Sequence, residues 1–228
     1  MSGRLIAAID TADAAQAAAL IRAVAPHCGL IKLGLEYFLR HGPAGLAVAG
    51  GAPLFLDLKL HDIPNTVAAA VRALLPVGAA MLTVHASGGG AMVATAADAA
   101  AQAEIPPKIL AVTVLTSLNA SALAETGVSG GATQQVLRLA RLALGHGADG
   151  MVCSAHEITA LRDAFGEKPI LVVPGIRPMG FEAADQARVM TPEQAMRAGA
   201  DYIVVGRPIT QAPAPGIAAE EIAASIAR

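Results

Sequence analysis

Asp57, Lys59 and Asp62 fall within six residues of one another, directly after the apolar run 53–56. If that run is a strand, Asp57 and Lys59 are two apart and share one of its faces, whereas Asp62, at an odd offset, lies in the loop beyond. A carboxylate and an ammonium are then held side by side at the C-terminal end of a strand, where catalytic groups collect in α/β folds. Such a pair can steady a charge that develops during a reaction and can supply a proton. An isolated pair of this kind also describes an ordinary surface ion pair, which contributes little, so its surroundings decide.

Those surroundings alternate regularly. Short β-branched runs at 5–9, 30–33, 54–58, 81–85, 109–115, 150–153, 170–173 and 202–205 predict strands. Ala-rich stretches at 14–24, 37–48, 66–75, 91–103, 133–146, 156–165, 192–198 and 217–227 predict helices. Most strand starts are about 20 to 30 residues apart, one βα unit each, which points to parallel strands with right-handed crossovers. Eight such units close into a (β/α)8 barrel, with a doubly wound open sheet as the alternative. No linker, low-complexity tract or domain boundary divides the 228 residues, and a single barrel domain over 1–228 is expected.

Composition agrees. The chain is 54% hydrophobic yet only 3% aromatic, as suits buried parallel strands covered by Ala-rich helices. A formal charge of −2 leaves no basic stripe for a nucleic-acid backbone. Cys28 and Cys153 form no metal-binding cluster and read as core thiols in a reducing compartment. The first apolar run is too short for a signal-peptide core, and no uninterrupted run reaches the ~18 residues of a membrane span. A cytoplasmic protein with neither a nucleic-acid nor a membrane partner is expected.

In a barrel the residues just after each strand share one mouth. They are Asp10; Lys32 and Gly34; Asp57 and Lys59; His85 before Ser87 and Gly88–Gly90; Thr116 and Ser117; Pro174 to Arg177; and Gly206 with Arg207. Several have plainer readings. The glycine run suits a turn before a helix, His85 a packed or hydrogen-bonded rim residue, and Thr11 and Asp13 a helix cap. His61 is as apt to face away from the mouth as into it. Gly206 and Arg207 carry more weight, because loops after strands seven and eight of barrels commonly bind phosphate, and a guanidinium can fork onto it. Arg177 opens a long loop to Met190 containing Gly180 and Gln186, and loops of that length on compact barrels usually act as lids.

The segment 55–66, Phe-Leu-Asp-Leu-Lys-Leu-His-Asp-Ile-Pro-Asn-Thr, resembles the signature of the orotidine 5′-phosphate decarboxylase family. Around it Ile9-Asp10, Ile-Lys-Leu-Gly at 31–34, Val-Thr-Val-Leu-Thr-Ser at 112–117, Pro-Gly-Ile-Arg-Pro at 174–178, Asp185-Gln186 and Val-Gly-Arg-Pro at 205–208 match in order and spacing. Val173 and Ala184 depart from the usual Thr and Gly without removing a functional side chain. The resemblance implies loss of CO2 from orotidine 5′-phosphate to give UMP, the last step of de novo pyrimidine synthesis, without metal or organic cofactor. It implies that Lys32, Asp57, Lys59 and Asp62 form a charge array at the pyrimidine, Lys59 being the proton donor, with Asp62 reaching the neighbouring subunit of a homodimer. Asp10 and Thr66 would sit at the ribose, Thr116 or Ser117 at the base, and Arg177, Gln186, Gly206 and Arg207 at the phosphate.

Two other readings stay open. A sister group shares the Asp-x-Lys-x-x-Asp element but performs Mg2+-assisted chemistry on sugar phosphates, with a carboxylate where this chain has Lys32; a lysine there opposes a cation that needs oxygen ligands. The barrel could also bind nucleotides without turnover.

Overall fold

A parallel strand rich in Val, Ile and Leu has two apolar faces to bury, and a closed barrel gives each a separate destination. The computed structural model describes residues 3–178 and 190–227. Eight strands, β1 Leu5–Ile9, β2 Leu30–Gly34, β3 Leu54–Leu60, β4 Met81–His85, β5 Lys108–Val112, β6 Gly150–Val152, β7 Ile170–Val173 and β8 Tyr202–Val205, pair in sequence order. β8 returns to β1, with Leu5 opposite Ile203, and every pair is parallel. The open-sheet alternative is thereby set aside.

Alternation along each strand sorts side chains into two cores. Ile6, Ala8, Leu30, Phe55, Met81, Leu110, Val172 and Val204 pack together as the barrel filling. Their neighbours, such as Leu5, Ala7, Ile9, Leu54, Leu56 and Leu58, belong to the outer layer with Ala17, Ile21, Val67 and Val71 of the helices. Each fully buried aliphatic side chain contributes about 1.5–3 kcal/mol.

The helices are α1 Ala14–Val24, α2 Leu35–Gly45, α3 Pro64–Leu74, α4 Gly90–Ala100, α5 Ala120–Glu125, α6 Ala132–Gly145, α7 Ile158–Phe165, α8 Pro192–Ala198, α9 Arg207–Thr210 and α10 Pro215–Ser225. Asp13 caps α1 by accepting the Gln16 N–H, and Thr191 and Gln194 form a capping box on α8. The Gly88–Gly90 run is the expected turn: a short 3-10 turn ends at Gly88, Gly89 adopts φ 91°, and α4 begins.

Three of the differences from the sequence expectation are informative. The helix expected over 37–48 is broken, because Gly42 (φ 62°) and Pro43 kink α2 and a 3-10 turn, Leu46–Ala49, follows. The strand expected over 109–115 ends at Val112, and beyond it Asn119 caps the unexpected α5 through the Ala122 N–H. Strand β3 runs on to Leu60, two residues past the expected end.

At the opposite end of the barrel from the mouth, Arg162 of α7 ties β7 and β8 together. Its guanidinium donates to the carbonyls of Gly199, Gly166 and Pro169, and Nη2 lies 2.7 Å from Asp201 Oδ2. Asp201 in turn accepts the Leu171 N–H at 2.7 Å. Replacing Arg162 with Ala strands these acceptors and a part-buried carboxylate, and is expected to cost about 2–4 kcal/mol. Urea unfolding at neutral pH would measure it, and kcat of the surviving folded protein should be unchanged.

Cys28 and Cys153 are both free. Burial pushes the Cys28 thiol up to about 12, against a smaller opposing hydrogen bond with Ala7, and burial raises that of Cys153 as well. Neither is a nucleophile at neutral pH. Among the described residues no helix is long and apolar enough to cross a membrane.

Candidate active site

Strands β1, β2 and β3 bring four charges together at the mouth. Lys32 Nζ lies 3.2 Å from Asp10 Oδ1 and 3.5 Å from Asp57 Oδ2, and Lys59 Nζ lies 2.7 Å from the same Asp57 oxygen. Asp57 thus sits between two ammonium groups, its side chain only 13% exposed. Burial opposes its ionisation, but the charges of Lys32 and Lys59, with hydrogen bonds from Lys59 and Thr83, outweigh that and hold the carboxyl below its ordinary value.

The geometry of β3 at this point is irregular. The four steps from Leu56 to Leu60 face only two on β4, Leu82 to Val84, so the strand bulges where the lysine stands. Lys59 adopts φ 51°, and among the described residues it is the one non-glycine with positive φ. Its backbone N–H, which the bulge takes out of the ladder, donates to Thr83 Oγ1 at 2.9 Å. The same hydroxyl donates to Asp57 Oδ1 at 2.9 Å. Thr83 was not among the expected site residues, although alternation between Met81 and His85 puts it on the barrel-lining face of β4, and that was the signal available.

Lys32, Asp57, Lys59 and Thr116 line one cavity of about 160 Å³, with Phe55 at its floor side and Val112, Cys153 and Pro174 among its walls. That volume suits a single ring. A larger groove of about 840 Å³, lined by Arg4, Glu193, Arg197 and Glu221, lies near the start of β1 and contains none of these charges.

The remaining expected residues are distributed around this centre. Asp10 is on the rim, and a Cβ added to Gly206 would lie 3.5 Å from Asp10 Oδ2, so Arg207, at the start of α9, follows directly beside the mouth. Thr116 is exposed on the loop after β5 and reaches the cavity. Arg177 is buried and donates through Nη1 to the Ile176 carbonyl. Gly175 takes φ 79°, and the Arg177 N–H donates to Met190 O at 3.1 Å, so the two ends of the expected lid meet. Gly180, Asp185 and Gln186 lie outside the described residues.

Asp62 and Thr66 are not part of the cluster. Asp62 is exposed beyond β3, its Oδ1 accepting the Ile63 N–H at 2.7 Å, and Thr66 is exposed in the first turn of α3. His61 also lies past the strand, yet its ring stands 5.3 Å from that of His85. Burial first, then the charges of His61 and Lys59, lower the pKa of His85, which is a neutral rim residue at pH 7.

The family described as orotidine 5′-phosphate decarboxylase / HUMPS matches residues 3–222. An orotidine 5′-phosphate decarboxylase of Anaeromyxobacter sp. (strain K) is 55% identical over 227 residues, covering 99% of each chain. One of Gluconobacter oxydans (strain 621H) is 53% identical over 230 residues, covering 98% of this chain and 97% of its own. The crystal structure of orotidine 5′-phosphate decarboxylase from Lactobacillus acidophilus superposes with a TM-score of 0.87 at 37% identity, covering 99% of both chains. With the family match and these relatives spanning nearly the whole chain, the chain belongs to the orotidine 5′-phosphate decarboxylase / HUMPS family.

Proposed function

We propose that this protein decarboxylates orotidine 5′-phosphate to UMP and CO2, the last step of de novo pyrimidine synthesis. The observation that carries the reading is Asp57 held between Lys32 and Lys59 in a ring-sized cavity at the barrel mouth. Breaking the bond from C6 to its carboxylate leaves an electron pair in the ring plane, where the π system delocalises it poorly. A fixed cation beside C6 is therefore worth more in the transition state than in the bound substrate. Lys59 supplies that charge and then donates the proton that replaces CO2 on C6, regaining one from water.

Asp57 holds the Lys59 ammonium aimed at C6. It also stands close to where the leaving carboxylate would lie, and two like charges ~4 Å apart repel by ~4 kcal/mol at an effective dielectric of ~20. That repulsion disappears as CO2 departs. Lys32, ion-paired with both Asp57 and Asp10, keeps the aspartate fixed, while Asp10 takes a ribose hydroxyl. Thr116 contacts the base in preference to Ser117, because Thr116 lines the cavity.

Arg207 with the Gly206 backbone, helped by Arg177 and Gln186, would hold the phosphate. Binding energy gathered there is used at a reacting centre the phosphate never touches. Arg207→Ala is expected to lower kcat/KM about 10- to 100-fold, the size of a lost charge-assisted hydrogen bond, with kcat falling as well as affinity. Steady-state kinetics would show it, and an unchanged kcat/KM would remove Arg207 from the phosphate site.

Asp62 serves a neighbouring subunit in a homodimer. Its exposure favours this, and so do its neighbour Ile63 and Leu39 of α2, 66% and 77% exposed, which a partner would cover. Two buried or half-buried free thiols favour a reducing compartment and hence the cytoplasm.

The sugar-phosphate chemistry of the sister group is disfavoured by Lys32, whose ammonium occupies the side of Asp57 where a divalent cation would need another oxygen. The test is to incubate the protein with orotidine 5′-phosphate in EDTA and follow the ultraviolet change on conversion to UMP. Turnover in EDTA is expected. Strict dependence on Mg2+ would favour the sister group, and tight binding without turnover a nucleotide sensor.

A further inference from the structure

The Thr83 hydroxyl is fully buried and has two partners on one strand: it donates to Asp57 Oδ1 and accepts the N–H of Lys59, both at 2.9 Å. A hydroxyl has a single proton. Because the Lys59 N–H can only donate, that proton must point at the aspartate, so the orientation of the hydroxyl is set from both sides. The other Asp57 oxygen meets Lys59 Nζ at 2.7 Å. Backbone and side chain of Lys59 are thus fastened to the two ends of one small unit: N–H to Thr83, Thr83 to Oδ1, Oδ2 to Nζ.

We propose that Thr83 is a positioning residue that holds the bulged Lys59 backbone and the Asp57 carboxylate in one register, so that the ammonium stays aimed into the cavity. This rests on the decarboxylase reading for its effect on turnover, but the tie itself does not. Lys59 is in the left-handed region, where a residue with a Cβ is disfavoured, and strained backbone persists only where its surroundings over-determine it. The bond from Thr83 is the one that meets the displaced N–H. Without it, the end of β3 can relax and swing the ammonium, and a buried carboxylate loses a donor.

Four side chains at position 83 separate the hydroxyl from the methyl. Thr83→Val keeps the shape and removes the hydroxyl, Thr83→Ser keeps the hydroxyl and removes the methyl, and Thr83→Ala removes both. The expected result is that kcat follows the hydroxyl: about 10- to 100-fold lower in the Val and Ala proteins, the range for one hydrogen bond to a charged group, and near wild type in Ser. KM should change little. Melting temperature should instead follow the methyl, falling most in Ala. A second readout needs no substrate: 13C NMR of the Asp57 carboxyl should titrate at higher pH in the Val protein than in wild type, and return in Ser. The hydrogen bond favours the ionised form, so the acid limb of the kcat/KM profile should move to higher pH in step.

A Val protein with wild-type kcat and an unmoved Asp57 titration would overturn the proposal, as would a Ser protein as impaired as Ala. If the wild type does not turn over orotidine 5′-phosphate, the decarboxylase reading fails, and the Asp57 titration alone decides the role of Thr83.

Discussion

Lys59→Ala is expected to abolish turnover, lowering kcat by at least about 10⁴-fold, because two separate contributions leave with one side chain. General acid catalysis by a positioned group is worth about 10²–10⁴-fold. A preorganised charge at the developing anion adds about 10²–10³-fold. The fold should survive, since Asp57 keeps Lys32 at 3.5 Å and the Thr83 hydroxyl at 2.9 Å. Binding should split in an informative way. With its nearer cation gone, Asp57 repels the substrate carboxylate more strongly, whereas UMP has no carboxylate to repel, so KM should rise more than the Kd of UMP. Lys59→Arg refines the reading. It restores a cation but not a releasable proton, because a guanidinium is not deprotonated in proteins, and it should recover little of kcat. Single-turnover assays on purified Ala and Arg proteins would check this, and kcat within tenfold of wild type in either would remove Lys59 as the proton donor.

The second large effect is a rescue. Asp62→Ala protein should be nearly inactive if Asp62 completes the site of its neighbour, and so should Lys59→Ala. When the two are mixed and allowed to exchange subunits, each heterodimer has one site carrying both lesions and one carrying neither. Random exchange makes half the dimers mixed, so about a quarter of wild-type activity is expected from two almost inactive proteins in a closed two-fold assembly. Assay after partial denaturation and refolding of the mixture, against each protein treated alone, measures it. Activity no greater than the sum of the parents would place Asp62 outside the neighbouring site.

Much of this architecture was readable from residue order. Strands with both faces apolar announce themselves, and six of the eight expected strands agree with the structure to within about one residue at each end. Lys32, Asp57 and Lys59 were readable because each is a charge set among apolar residues near the C-terminal end of a strand, and the pairing of Asp57 with Lys59 follows from their spacing of two. What alternation does not carry is the bulge. It assumes ordinary strand geometry up to Lys59, whereas the register with β4 shifts there and the lysine takes a positive φ. Thr83 is hidden for a related reason: an uncharged hydroxyl inside a β-branched run is compatible with a plain strand, and its two partners on β3 are what distinguish it. The α2 break falls at the Gly42-Pro43 pair, which the apolar pattern over 37–48 does not reveal. Asp62 was placed off the strand by counting alone, and its exposure agrees with that.

The positive φ at Lys59 also bears on how this barrel would respond to selection. A residue with a Cβ is disfavoured in that region by about 1–2 kcal/mol relative to its usual conformations, and glycine is not. The proposed proton donor therefore occupies a position that folding alone would assign to another amino acid. A programme that enriched variants for heat resistance or yield, without asking for product, would weigh the relaxed backbone of a glycine at position 59 against the lost pair with Asp57, and would not weigh the chemistry at all.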